Sequence, residues 1–285
     1  MNRPTISFEF FPPKTEKAAE TLWEAVPQLA AFDPLYMTVT YGAGGSTRDG
    51  TVDTITRMAR ETKIPMAAHL TFINTPKSQL REFTSALWAA GIKHIVALRG
   101  DMPQGLQWPL DPDQEYFQFT SDFVEGLKGW HDFEISVGCY PEKHPDAPDM
   151  KADIQALKLK CDAGADRAIT QFFFDNEIFY RFRDECAKAG ITTPIVPGLL
   201  PIYDFKSMTG FAARCQASVP DWLLAKFAGL EDKPEEALKV ASDLLAQQSL
   251  DLAAAGVEHI HYYTMNKSPI TLAAAKALGY ARKAA

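Results

Sequence analysis

What most constrains this chain is a rhythm. Short apolar runs of strand length alternate with longer helical segments along its whole length. The runs are Ser7–Phe11, Tyr36–Tyr41, Met66–Thr71, His94–Arg99, Glu134–Tyr140, Arg167–Phe173, Pro194–Gly198 and Val257–Thr264. Helices are expected over Glu16–Ala31, Arg48–Thr62, Lys77–Ala90, Tyr116–Gly129, Lys151–Ala163 and Glu177–Ala189. A long helical stretch follows from Phe205 to Ala255, and a last helix, Pro269–Leu278, comes after the final run. Four of these segments end in glycine (Gly91, Gly164, Gly190, Gly256), the residue that supplies a left-handed cap before the next strand. Strand–helix units in this number read as an α/β chain folded into one (β/α)8 TIM barrel over residues 1–285. A doubly wound open sheet is the competitor, but no GxGxxG follows the first strand.

Composition narrows the function. Of 285 residues, 46% are hydrophobic, enough for one large core. The net charge of -7, without a basic stretch, argues against nucleic-acid binding. No apolar run reaches the roughly 18 residues a membrane helix needs. No apolar leader precedes the first strand, so a cytoplasmic location is expected. Cys139, Cys161, Cys186 and Cys215 are widely spaced, which suits a reducing compartment. His259 and His261 face the same way on the last strand, but no third ligand stands near them. A structural role is expected there, and no metal site.

A barrel of this kind carries its chemistry at the C-terminal ends of its strands. Those positions are polar here: Glu9, Thr40-Tyr41, His69 with Thr71, Arg99-Gly100-Asp101, Tyr140 with His144, Gln171, and Tyr263-Thr264 with Asn266. Burying them unpaired costs free energy, so their convergence points to a ligand-binding mouth. In Ser7-Phe8-Glu9-Phe10-Phe11, alternation puts Ile6, Phe8 and Phe10 on one face and Ser7, Glu9 and Phe11 on the other. In apolar surroundings Glu9 would have a raised pKa and act as a general acid; on an edge strand it would simply face water. Thr38–Ser46 is a glycine-rich turn without the P-loop lysine. Arg99 and Asp101 form either a surface salt pair or a phosphate and heterocycle contact. Asp153 and Lys160, two turns apart, share a helix face. Gln171, aligned by alternation with Ile169 and Phe173, offers a neutral amide to a ring edge.

In combination, FEFFPP at Phe8–Pro13, VTYGA at Val39–Ala43, HIVALRGD at His94–Asp101, YPEKHP at Tyr140–Pro145 and AITQFFFD at Ala168–Asp175 resemble the methylenetetrahydrofolate reductases of the short, bacterial type. The resemblance covers nearly the whole chain. It implies FAD at the mouth of the barrel, NADH or NADPH as donor, and reduction of 5,10-methylenetetrahydrofolate to 5-methyltetrahydrofolate in ping-pong order. It makes Glu9 the general acid toward the folate N10 and sets Asp101 beside flavin and pterin. It implies cofactor contacts for Thr40, Tyr41, Ala43, His69, Arg99, Gly100, Asp101, Tyr140, His144, Ala147, Asp153, Lys160 and Phe211. It implies folate contacts for Asp101, Gln171, Ser207 and Lys267. Ser207 stands where some relatives carry glutamine and Lys267 where they carry arginine, and Gly105–Glu115 is longer than the family pattern. The resemblance also implies a homo-oligomer without a regulatory domain. Two other readings compete: a folate-binding component fed electrons by a partner, and a flavin-free pterin-binding methyltransferase. Fold alone does not separate them.

Overall fold

The computed structural model describes residues 3–40, 48–102, 105, 109–110 and 115–282. Tyr41, Ala43 and most of the Gly105–Glu115 segment lie outside the described residues. The elements run β1 (Thr5–Phe10), α1 (Glu16–Ala30), β2 (Tyr36–Val39), α2 (Arg48–Thr62), β3 (Met66–Thr71), α3 (Lys77–Ala89), β4 (His94–Leu98) and α4 (Thr120–Trp130). They continue with β5 (Glu134–Cys139), α5 (Met150–Asp162), β6 (Arg167–Thr170), α6 (Asn176–Lys188), β7 (Ile195–Val196), β8 (Gly198–Leu199) and α7 (Phe205–Cys215). Last come α8 (Asp221–Phe227), α9 (Pro234–Ala254), β9 (His259–Tyr263) and α10 (Pro269–Ala277).

All pairings are parallel, in the order β7-β6-β5-β4-β3-β2-β1-β9-β8. The expected seventh strand is therefore two stubs on either side of Pro197. Proline has no N–H to give a ladder, so the strand changes partner there. β7 bonds β6, β8 bonds β9, and the Pro197 carbonyl accepts from the His261 N–H at 2.9 Å. Because the two stubs are contiguous in the chain, the sheet closes as a TIM barrel of eight staves. Gly198 suits the join: a Cβ there would lie 2.3 Å from the Thr170 carbonyl oxygen and 2.6 Å from the Tyr263 ring.

Two differences from the sequence reading concern extent. The stretch from Phe205 to Ala255 is three helices, broken first by the left-handed Gln216 at φ 54°. The helix expected from Tyr116 begins at Thr120. The four cap glycines all have positive φ.

The main core lies between staves and helices, where Ile6, Phe8 and Phe10 are fully buried beside Leu22, Val26 and Leu29 of α1. The lumen is different. A barrel interior is ordinarily filled by branched apolar side chains. Here it holds Ser7, Tyr36, His94, Ser136, Arg167, His259 and His261, with a small apolar group of Tyr36, Ala67 and Val96. The Arg167 guanidinium reaches across from β6 to lie 5.2 Å from the Tyr36 ring on β2.

Candidate active site

Glu9 ends β1 on the lumen side, at the C-terminal mouth. Its Oε2 lies 3.2 Å from His69 Nε2 and 3.3 Å from His261 Nε2. β3 does not border β1, so the His69 contact crosses the lumen. The Glu9 side chain is 17% exposed, and both histidines are buried. The surroundings are thus polar, which corrects the expectation of an apolar pocket raising its pKa. Burial does push the carboxyl up, but attraction to His69 and the hydrogen bond with His261 oppose it and prevail, holding it down at about 2. Burial lowers His261, against the pull of Glu9.

The loop after β9 secures the end of β1. Asn266 Oδ1 accepts from the Phe11 N–H at 3.0 Å, and its Nδ2 donates to the Phe11 carbonyl at 2.8 Å. Thr264 Oγ1 donates to the Glu9 carbonyl at 2.6 Å. Both residues, polar at the mouth by sequence, serve the backbone that carries Glu9. Thr40 continues this edge from β2, its N–H donating to the Phe10 carbonyl.

Beside the mouth, between α4, α5 and the ends of β4 and β5, lies a cavity of about 630 Å³. Arg99, Tyr140, His144, Ala147, Asp153 and Lys160, six of the residues named from the sequence, line it together. The helix spacing of Asp153 and Lys160 does put both on the cavity side of α5. Each also has a partner in the protein. Asp153 Oδ2 accepts from the His144 N–H at 2.8 Å, and Lys160 Nζ donates to the Gly138 carbonyl at 2.6 Å. Burial lowers Lys160 and His144 from their ordinary values and pushes Tyr140 up to about 12. Arg99 pairs with Asp146 at 2.9 Å, not with Asp101. Asp146, absent from the sequence-derived set, is held below the usual carboxylate range by that guanidinium. Phe72, Phe119, Ala156 and Leu159 give the cavity an apolar wall.

The remaining positions sit around the rim. Gly100 turns the chain at φ +91°, where a Cβ would lie 2.9 Å from both Thr71 Cβ and Ile73 Cγ2, so only glycine fits. Asp101 follows it and is exposed. β6 ends at Thr170, so the alternation that would align Gln171 with Phe173 stops short of both. Gln171 is half-buried, and Phe173 stacks on Phe179 of α6. Phe211 on α7 stacks on Phe172, ring centres 5.2 Å apart. Ser207 is exposed in the first turn of α7. Lys267 is exposed with Nζ 4.9 Å from the Tyr203 ring. The sequence reading set Ser7 on the Glu9 face of β1 and gave His259 and His261 a structural role, without bringing the two strands together. Their period-two placement on adjacent strands was the signal that all three share the lumen with Glu9.

A family model described as methylenetetrahydrofolate reductase matches residues 1–279. The 5,10-methylenetetrahydrofolate reductase of Pectobacterium carotovorum is 43% identical over 97% of this chain and 91% of its own. That of Escherichia coli K12 is 42% identical over 96% and 90%. A methylenetetrahydrofolate reductase (NADH) of Zea mays is 34% identical over 93% of this chain and 46% of that protein. Among solved structures, a Clostridium thermocellum protein that binds two copies of 5-methyl-5,6,7,8-tetrahydrofolic acid superposes with a TM-score of 0.64. It covers 98% of this chain and 95% of that one at 16% identity, a likeness of fold.

Proposed function

Because the chain belongs to the methylenetetrahydrofolate reductase family, we propose that it reduces 5,10-methylenetetrahydrofolate to 5-methyltetrahydrofolate at this mouth, with FAD as cofactor and NADH or NADPH as donor, in ping-pong order. The observation that carries the reading is Glu9, a mostly buried carboxyl fixed between two histidines at the end of β1.

The donor set suits FAD. The cavity has a volume ordinary for a ligand site. It offers an apolar wall for a flat ring, with Arg99 and Lys160 as cations for a diphosphate. Tyr140, His144, Ala147 and Asp153 complete that side, and Thr40, His69 and Gly100 border the mouth where the redox ring would lie. When bound, FAD supplies hydride chemistry.

The work of this chain's own residues is to bind, orient and protonate. Glu9 holds a proton at its carboxyl and gives it to the amine nitrogen of the folate's methylene bridge, which lets that C–N bond break. The carboxyl rests ionised in the uncovered mouth. A flat ligand over it removes water and strengthens the burial that already pushes it up. Asp101 accepts from the pterin's N–H edge. Gln171 offers a donor and an acceptor to either ligand in turn, and the Phe211–Phe172 stack gives a face for the nicotinamide. Ser207 and Lys267 meet the folate tail.

The test is one anaerobic cuvette. The purified protein is expected to show a flavin spectrum that bleaches with NADH or NADPH and returns when methylenetetrahydrofolate is added. A flavin that the donor does not bleach would favour a partner-fed folate component. A protein that binds no FAD at all would end the reductase reading.

A further inference from the structure

A file of hydrogen bonds leaves Glu9 and runs down the lumen, away from the mouth. Glu9 Oε2 is 3.3 Å from His261 Nε2. The other nitrogen of that ring, Nδ1, is 2.7 Å from Ser7 Oγ. Ser7 Oγ is in turn 2.8 Å from His259 Nε2, and His259 Nδ1 is 3.1 Å from Thr5 Oγ1. Thr5 is exposed at the N-terminal end of the barrel. The file follows from strand register. β1 and β9 pair Thr5 with His259, Ser7 with His261 and Glu9 with Tyr263, and the two-residue period turns Thr5, Ser7 and Glu9 to the same side.

We propose that this file is a proton relay, in which His259 takes a proton from water at the floor of the barrel and passes it through Ser7 and His261 to restore Glu9 to its acid form. The proposal rests on the reductase reading of the mouth. Reducing the methylene bridge consumes one proton per turnover, because a C–N bond becomes an N–H bond while hydride goes to carbon. Glu9 gives that proton away when its upper side is covered by ligands, so the replacement needs another route.

The transfer balances without any electron moving. An O–H bond of water breaks as an N–H bond forms at His259 Nδ1, the hydroxide is taken up by the bulk buffer, and the His259 Nε2–H bond breaks toward Ser7 Oγ. The former Ser7 O–H proton goes to His261 Nδ1, and the His261 Nε2 proton goes to Glu9 Oε2. Every relay member ends neutral. The final arrangement is fully bonded too: Thr5 donates to the Glu258 carbonyl at 3.1 Å, leaving its lone pairs for His259 Nδ1–H. Imidazole suits such a path because each ring has one donor and one acceptor nitrogen. The groups around His259 are Thr5 and Ser7 on β1, Tyr36 on β2, His94 on β4, Arg167 on β6 and His261 on β9, and Arg167 is itself paired with Glu134 on β5. Burial, with His261 and Arg167 adding to it, holds His259 down at about 3, so it rests neutral and free to accept.

The test compares the parent with His259→Ala and Ser7→Ala, each loaded with FAD, in weak buffer with a pH-indicator dye. Bleaching by the donor is expected at parent rate in all three, which also reports folding. The folate half-reaction and its proton uptake should slow together at least tenfold at pH 8 in both variants, and less at pH 6. Added imidazole should restore His259→Ala but not Ser7→Ala. Parent-like turnover and proton uptake in His259→Ala would overturn the relay. So would a loss that is equal at both pH values and indifferent to imidazole, since that marks a packing role. A parent that bleaches but never reoxidises with the folate refutes the reductase reading itself, and the relay with it.

Discussion

The lumen beneath Glu9 and the cavity beside α5 are both polar, but their polar groups are engaged differently. In the lumen, side chains on rigid strands meet side chains: Glu9 with His69 and His261, Ser7 with His259 and His261, His94 with Ser136 at 2.7 Å. In the cavity, side chains mostly hold backbone. Lys160 holds Gly138 and Asp153 holds His144, while Lys143, from outside the cavity, binds the carbonyl of Ala147 in its wall at 2.6 Å. A strand-borne network of titratable groups fixes protons in place. A cavity whose charges are tethered to loops admits a ligand, provided those charges exchange partners. The first region is built for proton chemistry and the second for binding.

The largest effect should come from breaking the first region at its top. Glu9→Gln keeps the shape and removes the transferable proton. The folate half-reaction should fall by about 100- to 10,000-fold, the usual range for a lost general acid, while donor oxidation and FAD binding stay near parent. Stopped-flow absorbance on each half-reaction measures both. Equal losses in the two would mean that Glu9 supports binding rather than proton transfer.

The second region is sharpened by Lys160→Met, which keeps most of the stem and removes the cation. A hydrogen bond to a charged group is worth about 1.5–3 kcal/mol. FAD affinity should therefore weaken by about 10- to 100-fold, read from quenching of flavin fluorescence on titration. Glu9→Gln should leave that titration alone. An unchanged affinity would reduce Lys160 to a tether for β5.

Acid should separate the regions by stability. His94 is held well below its ordinary value, first by burial and then by Arg167. A histidine with a depressed folded pKa binds its proton only when unfolded. Its stability is complete above the ordinary value of 6.5 and is lost as pH falls below it. Each such group steepens the loss by up to about 1.4 kcal/mol per pH unit. Glu9 acts in the same direction lower down, between 4.5 and about 2. His94→Gln retains a partner for Ser136 and removes the titration, so its urea-unfolding free energy should fall less between pH 6.5 and 4.5. A slope identical to the parent's would remove His94 from the acid sensitivity and leave it to other groups.

How much of this was legible depends on the range of the interaction. The staves were legible because period-two runs and glycine caps are local, and so was the shared face of Asp153 and Lys160, a matter of helix pitch. The break at Pro197 was not, because a strand that changes neighbours looks like any other short strand. The environment of Glu9 was misread for the same kind of reason. Its flanking phenylalanines face the helices, and the histidines that set its charge come from β3 and from β9, 252 residues away for His261. Which staves face each other across a lumen is fixed by tilt and closure, and neither is written in a local pattern. Arg99 similarly found Asp146, 47 residues on, rather than its near neighbour Asp101.

That last pair gives the smallest expected effect and a change of sign. Arg99 and Asp146 are 36% and 64% exposed, so their bond is worth less than about 1 kcal/mol. An anionic ligand reaching Arg99 must displace Asp146 and also meets the repulsion of its carboxylate. Asp146→Asn preserves the shape and the backbone N–H that donates to His144 Nδ1. Thermal stability should change little, and FAD should bind about two- to fivefold more tightly, most clearly at low salt, where exposed charges are least screened. An unchanged affinity at every salt concentration would mean that Arg99 does not meet the diphosphate. A weaker affinity would make Asp146 itself a ligand-holding group, and the exchange of partners that distinguishes the cavity from the lumen would then fail at its most exposed point.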